Sequence, residues 1–455
     1  MIDHDATHQL AALRAGTVTA RDLMAQTLDR IDRLNPALNA IVALRDRDTL
    51  LHEAEHAPPG PLQGLPMAIK DLAETAGIVT SYGSPAFRDN VPDEDAPMVA
   101  RLRRAGAVII GKTNTPEFGL GSHSYNPVYG VTRNPYDPGR SAGGSSGGAG
   151  AALASRMVAL ADGSDMMGSL RNPAGWNNVF GFRPSYGLVA GGGPGDLFLS
   201  QLATEGPMAR SIRDLELLLA IQSEHDPMHP HSSGPYRHVA ADGRKLKIGW
   251  LADWGGAYAT EPGVLGLCEA AVGVFESLGH SVTALPPPFA AEALWQAWTV
   301  LRSWTIAANL GPLLRQAPEM VKPELQWEIE RGLAVTAEDL RKASVIRSDW
   351  FRCTAGMEVD ILALPSAQLF AFDATWHWPK AIGGTAMDTY HRWMEVVVPA
   401  SLTGLPALCV PAGFGAAGTP MGLQLIGHRG RDATVLNLGR DYEAATDWIA
   451  QAPAL

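Results

Sequence analysis

The chain has 455 residues, of which 46% are hydrophobic and 18% charged, which supplies a large core and excludes disorder, coiled coil and fibre. Its 36 Lys and Arg against 47 Asp and Glu leave a net charge of −11, which argues against nucleic acid or an anionic membrane as partner. The 48 glycines and 33 prolines stay below the share of a low-complexity or collagen-like chain, so each has to be read by its position.

The cysteines, Cys268, Cys353 and Cys409, are odd in number and far apart. That spacing suits neither a disulfide framework nor a thiolate zinc site and predicts a reducing, cytoplasmic setting. The N-terminus has no basic segment leading into an apolar run, so no signal peptide is expected. No segment approaches the roughly 20 apolar residues of a membrane span.

In chain order, Thr19 and Asp22 read as a capping box opening a helix, with Leu23, Leu28, Ile31 and Leu34 on one face and Pro36 as its stop. Residues 65–71 read as a buried strand ending in charge. A helix over 96–105 is expected to turn Val99 and Leu102 inward and its arginines outward. Residues 107–110 form a second buried strand, and strand–helix–strand in this order predicts parallel neighbours in an α/β fold. A Gly/Ser loop at 139–150 leads into a helix of small residues. A strand at 158–160 is followed by a polar turn over 162–168. Ser211 opens another helix, and the His- and Pro-rich stretch 223–245 reads as a surface loop. A strand at 247–250, a helix over 264–278, mostly helical structure over 290–355 and late core strands at 360–364 and 408–410 complete the pattern.

Three motifs bear on chemistry. Gly106 to Thr113 matches the spacing of a phosphate-binding loop, but the residues between its glycines are Ala-Val-Ile-Ile, themselves a strand, and Pro116 interrupts the helix that should follow. A buried strand is the better reading. Gly143-Gly144-Ser145-Ser146-Gly147 matches a nucleophile elbow with Ser145 as nucleophile. The segment before it reads as a loop rather than the required strand, although histidines do follow downstream. The third is a constellation: Lys70 closing an apolar run, the Gly/Ser loop, and Gly163-Ser164-Asp165-Met166-Met167-Gly168-Ser169-Leu170-Arg171.

That constellation, with residues 64–71, 111–119, 143–148, 181–187, 206–211 and 422–427, resembles the amidase signature family of serine hydrolases. The spacing of Ser145 and Ser169 fits as well. The resemblance covers most of the chain. It implies an α/β amidase signature fold, a central twisted mixed β-sheet covered by helices on both faces, as one domain over 1–455. A helical insertion around 290–395 would set specificity, and 223–245 would be a surface loop.

The resemblance further implies Ser169 as nucleophile, Ser145 as a bridging serine after a cis peptide bond, and Lys70 as base. Independently of the resemblance, a lysine ending an apolar run is placed for burial, which disfavours its ammonium form and suits it to accept a proton near neutral pH. By the same family analogy, the amides of Met166, Met167, Gly168 and Ser169 form the oxyanion hole. Ser146, Asp165 and Arg171 brace the loops, and Gly119, Leu120 and Gly121 line the substrate side. One position departs from the pattern: Met167 stands where the family has glycine. Either methionine strains a left-handed turn there, or the position needs no glycine and Met166 and Met167 narrow the acyl pocket, which is the favoured reading; the plain alternative is a Met pair packed in the core.

The expected activity is hydrolysis of small aryl or alkyl amides through an acyl-enzyme, with carbamates (urethanes) and esters as further substrates. No cofactor or metal is expected. The histidines at 225, 229, 231 and 238 lack ordinary ligand spacing. The protein would be a monomer or homodimer. A glutaminase subunit of a tRNA-dependent amidotransferase, which shares the signature, is the alternative, as is a hydrolase using Ser145 directly. Most of the 12 tryptophans fall in 290–395, where they either pack helices or rim an apolar substrate site.

Overall fold

The computed structural model describes residues 1–191 and 195–455. Two sheets meet at the site. The first has three strands, β1 (Ile41–Val42), β2 (Pro66–Lys70) and β3 (Val108–Thr113), in the order β1-β3-β2. β2 and β3 run parallel, joined through the Pro97–Arg104 helix. Both are buried along their whole length, which is why they read as unbroken apolar runs.

The second sheet has eight strands: β4 (Leu160–Asp165), β5 (Phe180–Arg183), β6 (Thr204–Ala209), β7 (Lys247–Trp250), β8 (Ser281–Ala284), β9 (Ile361–Pro365), β10 (Ala407–Phe414) and β11 (Pro420–Gly427). Their order is β8-β7-β9-β11-β10-β5-β6-β4. β7 is parallel to β8 and β9, and the remaining pairs are antiparallel, so the sheet is mixed as expected. Helices cover it. The Val264–Ser277 helix, for example, buries Cys268, Val272 and Phe275 in the main core. A second core under the small sheet takes Leu28, Ile31 and Leu34 of the Ala20–Leu38 helix against Ala68, Val108 and Ile110.

Several elements depart from the sequence reading. The Thr19 capping box forms, but Pro36 lies inside the helix, which runs on to Leu38 and ends at Asn39 in the left-handed conformation. Proline removes one amide donor of the last turn, and beyond the helix end the Asn35 side chain accepts from the Ala40 and Ile41 amides. Arg101 turns inward rather than outward and donates to the Gln222 carbonyl at 2.9 Å. The expected polar turn over 162–168 is a strand as far as Asp165. An additional helix spans Ala6–Arg14.

The helix after the Gly/Ser loop, Gly147–Ala154, is buried at every residue. A Cβ on Gly148 would stand 2.3 Å from the Asn114 amide nitrogen, so only glycine lets this helix approach so closely. The three thiols are free. Among the described residues, no helix is long and apolar enough to cross a membrane.

Candidate active site

Lys70 is the last residue of β2, and its side chain is 1% exposed. Its backbone N–H donates to Asp162 Oδ1 at 3.0 Å, fixing the end of β2 against β4, the edge strand of the large sheet. Its Nζ lies 2.7 Å from Ser145 Oγ, 2.9 Å from Ser146 Oγ, 3.0 Å from Ser164 Oγ and 3.3 Å from the Ser164 carbonyl. Every partner is neutral. Burial pushes this amine down to about 7, against the pull of Asp162, Asp165 and Glu205 in the other direction.

Ser145 follows a cis peptide bond from Gly144. Two links tie this loop to the turn carrying Ser169. Ser146 N–H donates to the Ser169 carbonyl at 3.3 Å, and Gly144 N–H donates to Asn172 Oδ1 at 3.3 Å. Ser169 sits between β4 and the Arg171–Trp176 helix and is 6% exposed. The site is therefore deeply enclosed.

The turn itself is organised by Asp165. Its carboxylate accepts from the Gly168 amide at 2.9 Å, the Leu170 amide at 3.2 Å and Arg171 Nε at 3.0 Å, and it pairs with Arg183 at 3.1 Å. Arg171 continues to Gln424 Oε1 and Ser401 Oγ, both at 2.7 Å. Asp165, Arg171 and Arg183 are all fully buried. Burial alone would raise the Asp165 carboxyl, but Arg171 and Arg183 together hold it well below the usual carboxylate range.

The Gly168 amide, expected to face substrate, is turned into Asp165 instead. Among the described residues, no protein group accepts the N–H of Met166, Met167 or Ser169. Gly168 is the position that requires glycine. Its φ is +80°, and a Cβ there would stand 2.9 Å from both methyls of Val397. Met167 is outside the left-handed region, so the methionine is not strained. Its side chain packs into the main core, and the Met166 side chain is partly buried beside it.

The expected substrate-side residues divide. Gly119 abuts the bridging serine: a Cβ built on it would stand 3.4 Å from Ser145 Oγ. Leu120 turns its side chain away, into a small cluster with Ile306, Leu325 and Ile329. Gly121 borders open space. Beyond these, Arg302 of the Ala291–Gln316 helix points Nη1 at Met166 Sδ, 3.5 Å away, and binds Glu328 and Tyr390 behind it.

Half of the eight tryptophans in 290–395 belong to the core. Trp295, Trp298, Trp350 and Trp393 are buried, whereas Trp327 and Trp376 are exposed. Lys112 of the apparent phosphate-binding loop is buried in β3, with Nζ on the Ala73 carbonyl at 2.6 Å and Thr75 Oγ1 at 2.8 Å. For the nucleophile-elbow reading, the partner of Ser145 Oγ is Lys70; among the described residues no imidazole bonds to it. His123, packed beside the loop, is engaged with Ser141 Oγ and the Ala374 carbonyl.

Sequence reasoning missed Ser164, Asp162 and Arg183 as neighbours of the site. Arg183 and Gln424 fall inside motifs that fit the family, which was the available signal for them. Ser164 and Asp162 lie on alternate positions of β4, a signal masked by reading that stretch as a turn.

The amidase family model matches residues 22–436. Among curated proteins, the chain is 36% identical to a glutamyl-tRNA(Gln) amidotransferase subunit of Thermus thermophilus, over 96% of this chain and 97% of that one. It is 33% identical to an acylamidase of Rhodococcus erythropolis, over 99% and 97%. Among solved structures, a bacterial aryl acylamidase of the amidase signature family superposes with a TM-score of 0.90 at 26% identity, covering 99% of this chain and 98% of that one. The 6-aminohexanoate cyclic dimer hydrolase complexed with substrate superposes with a TM-score of 0.88 at 26% identity, over 100% and 99%. The chain belongs to the amidase signature family, hydrolases that act on amide C–N bonds.

Proposed function

We propose that this protein hydrolyses small-molecule amides through an acyl-enzyme on Ser169, with Ser145 relaying the proton and Lys70 receiving it. The observation that carries the reading is the enclosed Lys70 Nζ, 2.7 Å from Ser145 Oγ and surrounded only by neutral partners. A lysine in that setting is neutral near physiological pH and able to accept a proton. In the first half-reaction the Ser169 Oγ–carbonyl bond forms as its proton passes by way of Ser145 Oγ to Lys70 Nζ. The proton returns to the leaving amine as the C–N bond breaks. Water then cleaves the acyl-enzyme by the same route. The amides of Met166, Met167 and Ser169 are the donors for the oxyanion, and the Gly168 amide holds the turn.

The apolar surroundings of the turn, Met166, Met167 and Val397, support an aryl or alkyl acyl group. Carbamates and esters present the same carbonyl and are further substrates in this reading. Ser169→Ala, Ser145→Ala and Lys70→Ala, assayed on a panel of amides, carbamates and esters, provide the test. Each is expected to lose about 10³-fold or more in kcat/KM while staying folded. Activity retained by Ser169→Ala defeats the mechanism. A second reading, a glutaminase component of an amidotransferase, is favoured by the 36% identity to the Thermus thermophilus protein. It predicts turnover of glutamine in the same panel and co-purifying partner proteins.

A further inference from the structure

Two carboxyls stand behind Lys70 that the proposed relay does not use. Asp162 and Ser164 are alternate residues of β4 and so share one face of the sheet. In the antiparallel pairing of β4 with β6, Glu205 lies directly opposite Ser164, which places it on that same face with Cβ atoms about 5 Å apart. Ser164 meets Lys70 Nζ with both its carbonyl and its hydroxyl. Asp162 holds the Lys70 backbone amide. The strand pair thus brings two acids to bear on one base.

Neither acid is a hydrogen-bond partner of Nζ, whose neighbours are three hydroxyls and a carbonyl. An ion pair built for stability would bring a carboxylate into contact with the ammonium. Here the acids act at one remove. Part of Glu205 reaches the surface, but its Oε2 is enclosed. Burial pushes Glu205 up to about 7 and Asp162 up to about 6, into the range where Lys70 itself changes charge. Among the described residues, other charged groups also bear on this cluster. Asp165 is committed to Arg171 and Arg183. Arg101 acts on Glu205, and Lys112 acts on Asp162.

We propose that Glu205 is a positioning residue for the base: its carboxyl, set across the strand pair from Ser164, raises the pH at which Lys70 becomes neutral and able to take the Ser169 proton. The inference rests on the reading of Lys70 as base. A carboxylate favours the ammonium form, so removing the Glu205 charge favours the neutral amine and moves the onset of reactivity to lower pH. Asp162, relieved of a like charge, ionises more readily and offsets part of the movement.

The test needs no knowledge of the substrate. An alkyl fluorophosphonate phosphonylates a reactive serine, and its rate of inactivation is followed between about pH 5 and pH 9, with mass spectrometry locating the label. In the wild type the rate is expected to rise with pH through about 7. In Glu205→Gln the rise is displaced to lower pH by roughly half a unit to one unit, with little change in the plateau. Glu205→Thr, suited to a strand position, gives the same displacement and stands in should the Gln variant fail to fold. Glu205→Asp keeps a carboxyl and restores the wild-type profile. A superimposable profile in the neutral variants, a loss of plateau without displacement, or a displacement to higher pH overturns the role of Glu205. No label on Ser169 in the wild type overturns the hydrolase reading and this inference with it.

Discussion

The segments carrying Lys70, Ser145 and Ser169 and the helical excursion that begins at Ala291 meet at one site but differ in what mainly holds them. The loops are held by directional bonds among buried polar groups. Asp165 alone takes two amides and two guanidinium groups. The excursion relies more on bulk: Trp295, Trp298 and Trp350 fill the core between its helices and the sheet, around one buried polar cluster of Arg302, Ser303, Glu328 and Tyr390. Directional bonds fix atoms to within tenths of an ångström, which the proposed proton relay demands. Apolar packing tolerates exchange of shape at similar volume, which under the proposed function lets a substrate pocket vary on an unchanged reaction centre.

The sharpest way to break this contrast is Asp165→Asn. It leaves Arg171 and Arg183 buried without their counter-charge and is expected to cost about 3–5 kcal/mol in denaturant unfolding, along with most of the activity. The sign of the pH effect follows from the depressed Asp165 carboxyl. Its stabilisation is complete above the ordinary aspartate value of 3.8 and is lost as pH falls through the lower folded value. The Asn variant should lack that part of the acid dependence. A variant as stable and as acid-sensitive as the wild type would remove Asp165 from its central place.

Trp298→Ala is expected to cost about 3–5 kcal/mol as well, through a cavity rather than an uncompensated charge. The two changes separate in activity. At a temperature where both remain folded, Trp298→Ala should keep most of its kcat per folded molecule, because no bond to the Ser169 turn is lost. An equal fall in kcat for both would show that the excursion positions the relay too.

Met167→Gly gives the smallest expected effect and sits on the border between the two regions. Losing the buried side chain should cost about 1–3 kcal/mol in stability and alter preference among acyl groups. Gly168→Ala, one residue on, meets Val397 and a left-handed backbone and should lower activity instead. If Met167→Gly leaves rate and preference unchanged, Met167 is core packing alone and takes no part in the pocket.

Much of the small sheet and the site was legible from the sequence because local signals carry it. Residues 65–71 and 107–110 read as strands because both faces are buried, and the Thr19 capping box is a four-residue pattern. Ser145, Ser169 and Lys70 were identified by motifs of fixed composition and spacing. The stretch 162–168 was misread because glycine, serine and aspartate favour turns, whereas pairing with β6 overrides that preference as far as Asp165. The tryptophans read equally well as packing or as rim, since side-chain size signals burial without naming what is buried against it.

By itself, then, the sequence determined the chemistry available: an enclosed lysine, two serines in glycine-rich loops and an acid–arginine pair beside one of them. The tertiary structure decided where each group points. Lys70 and Ser164 are 94 positions apart and Arg171 and Gln424 are 253 apart, and no local pattern could have joined them. It also gave the Gly168 amide to Asp165 and left the amides of Met166, Met167 and Ser169 without protein partners among the described residues. The physical reason is that composition and periodicity report how a residue prefers to be buried, while the partner of a hydrogen bond is fixed only when distant strands come into register.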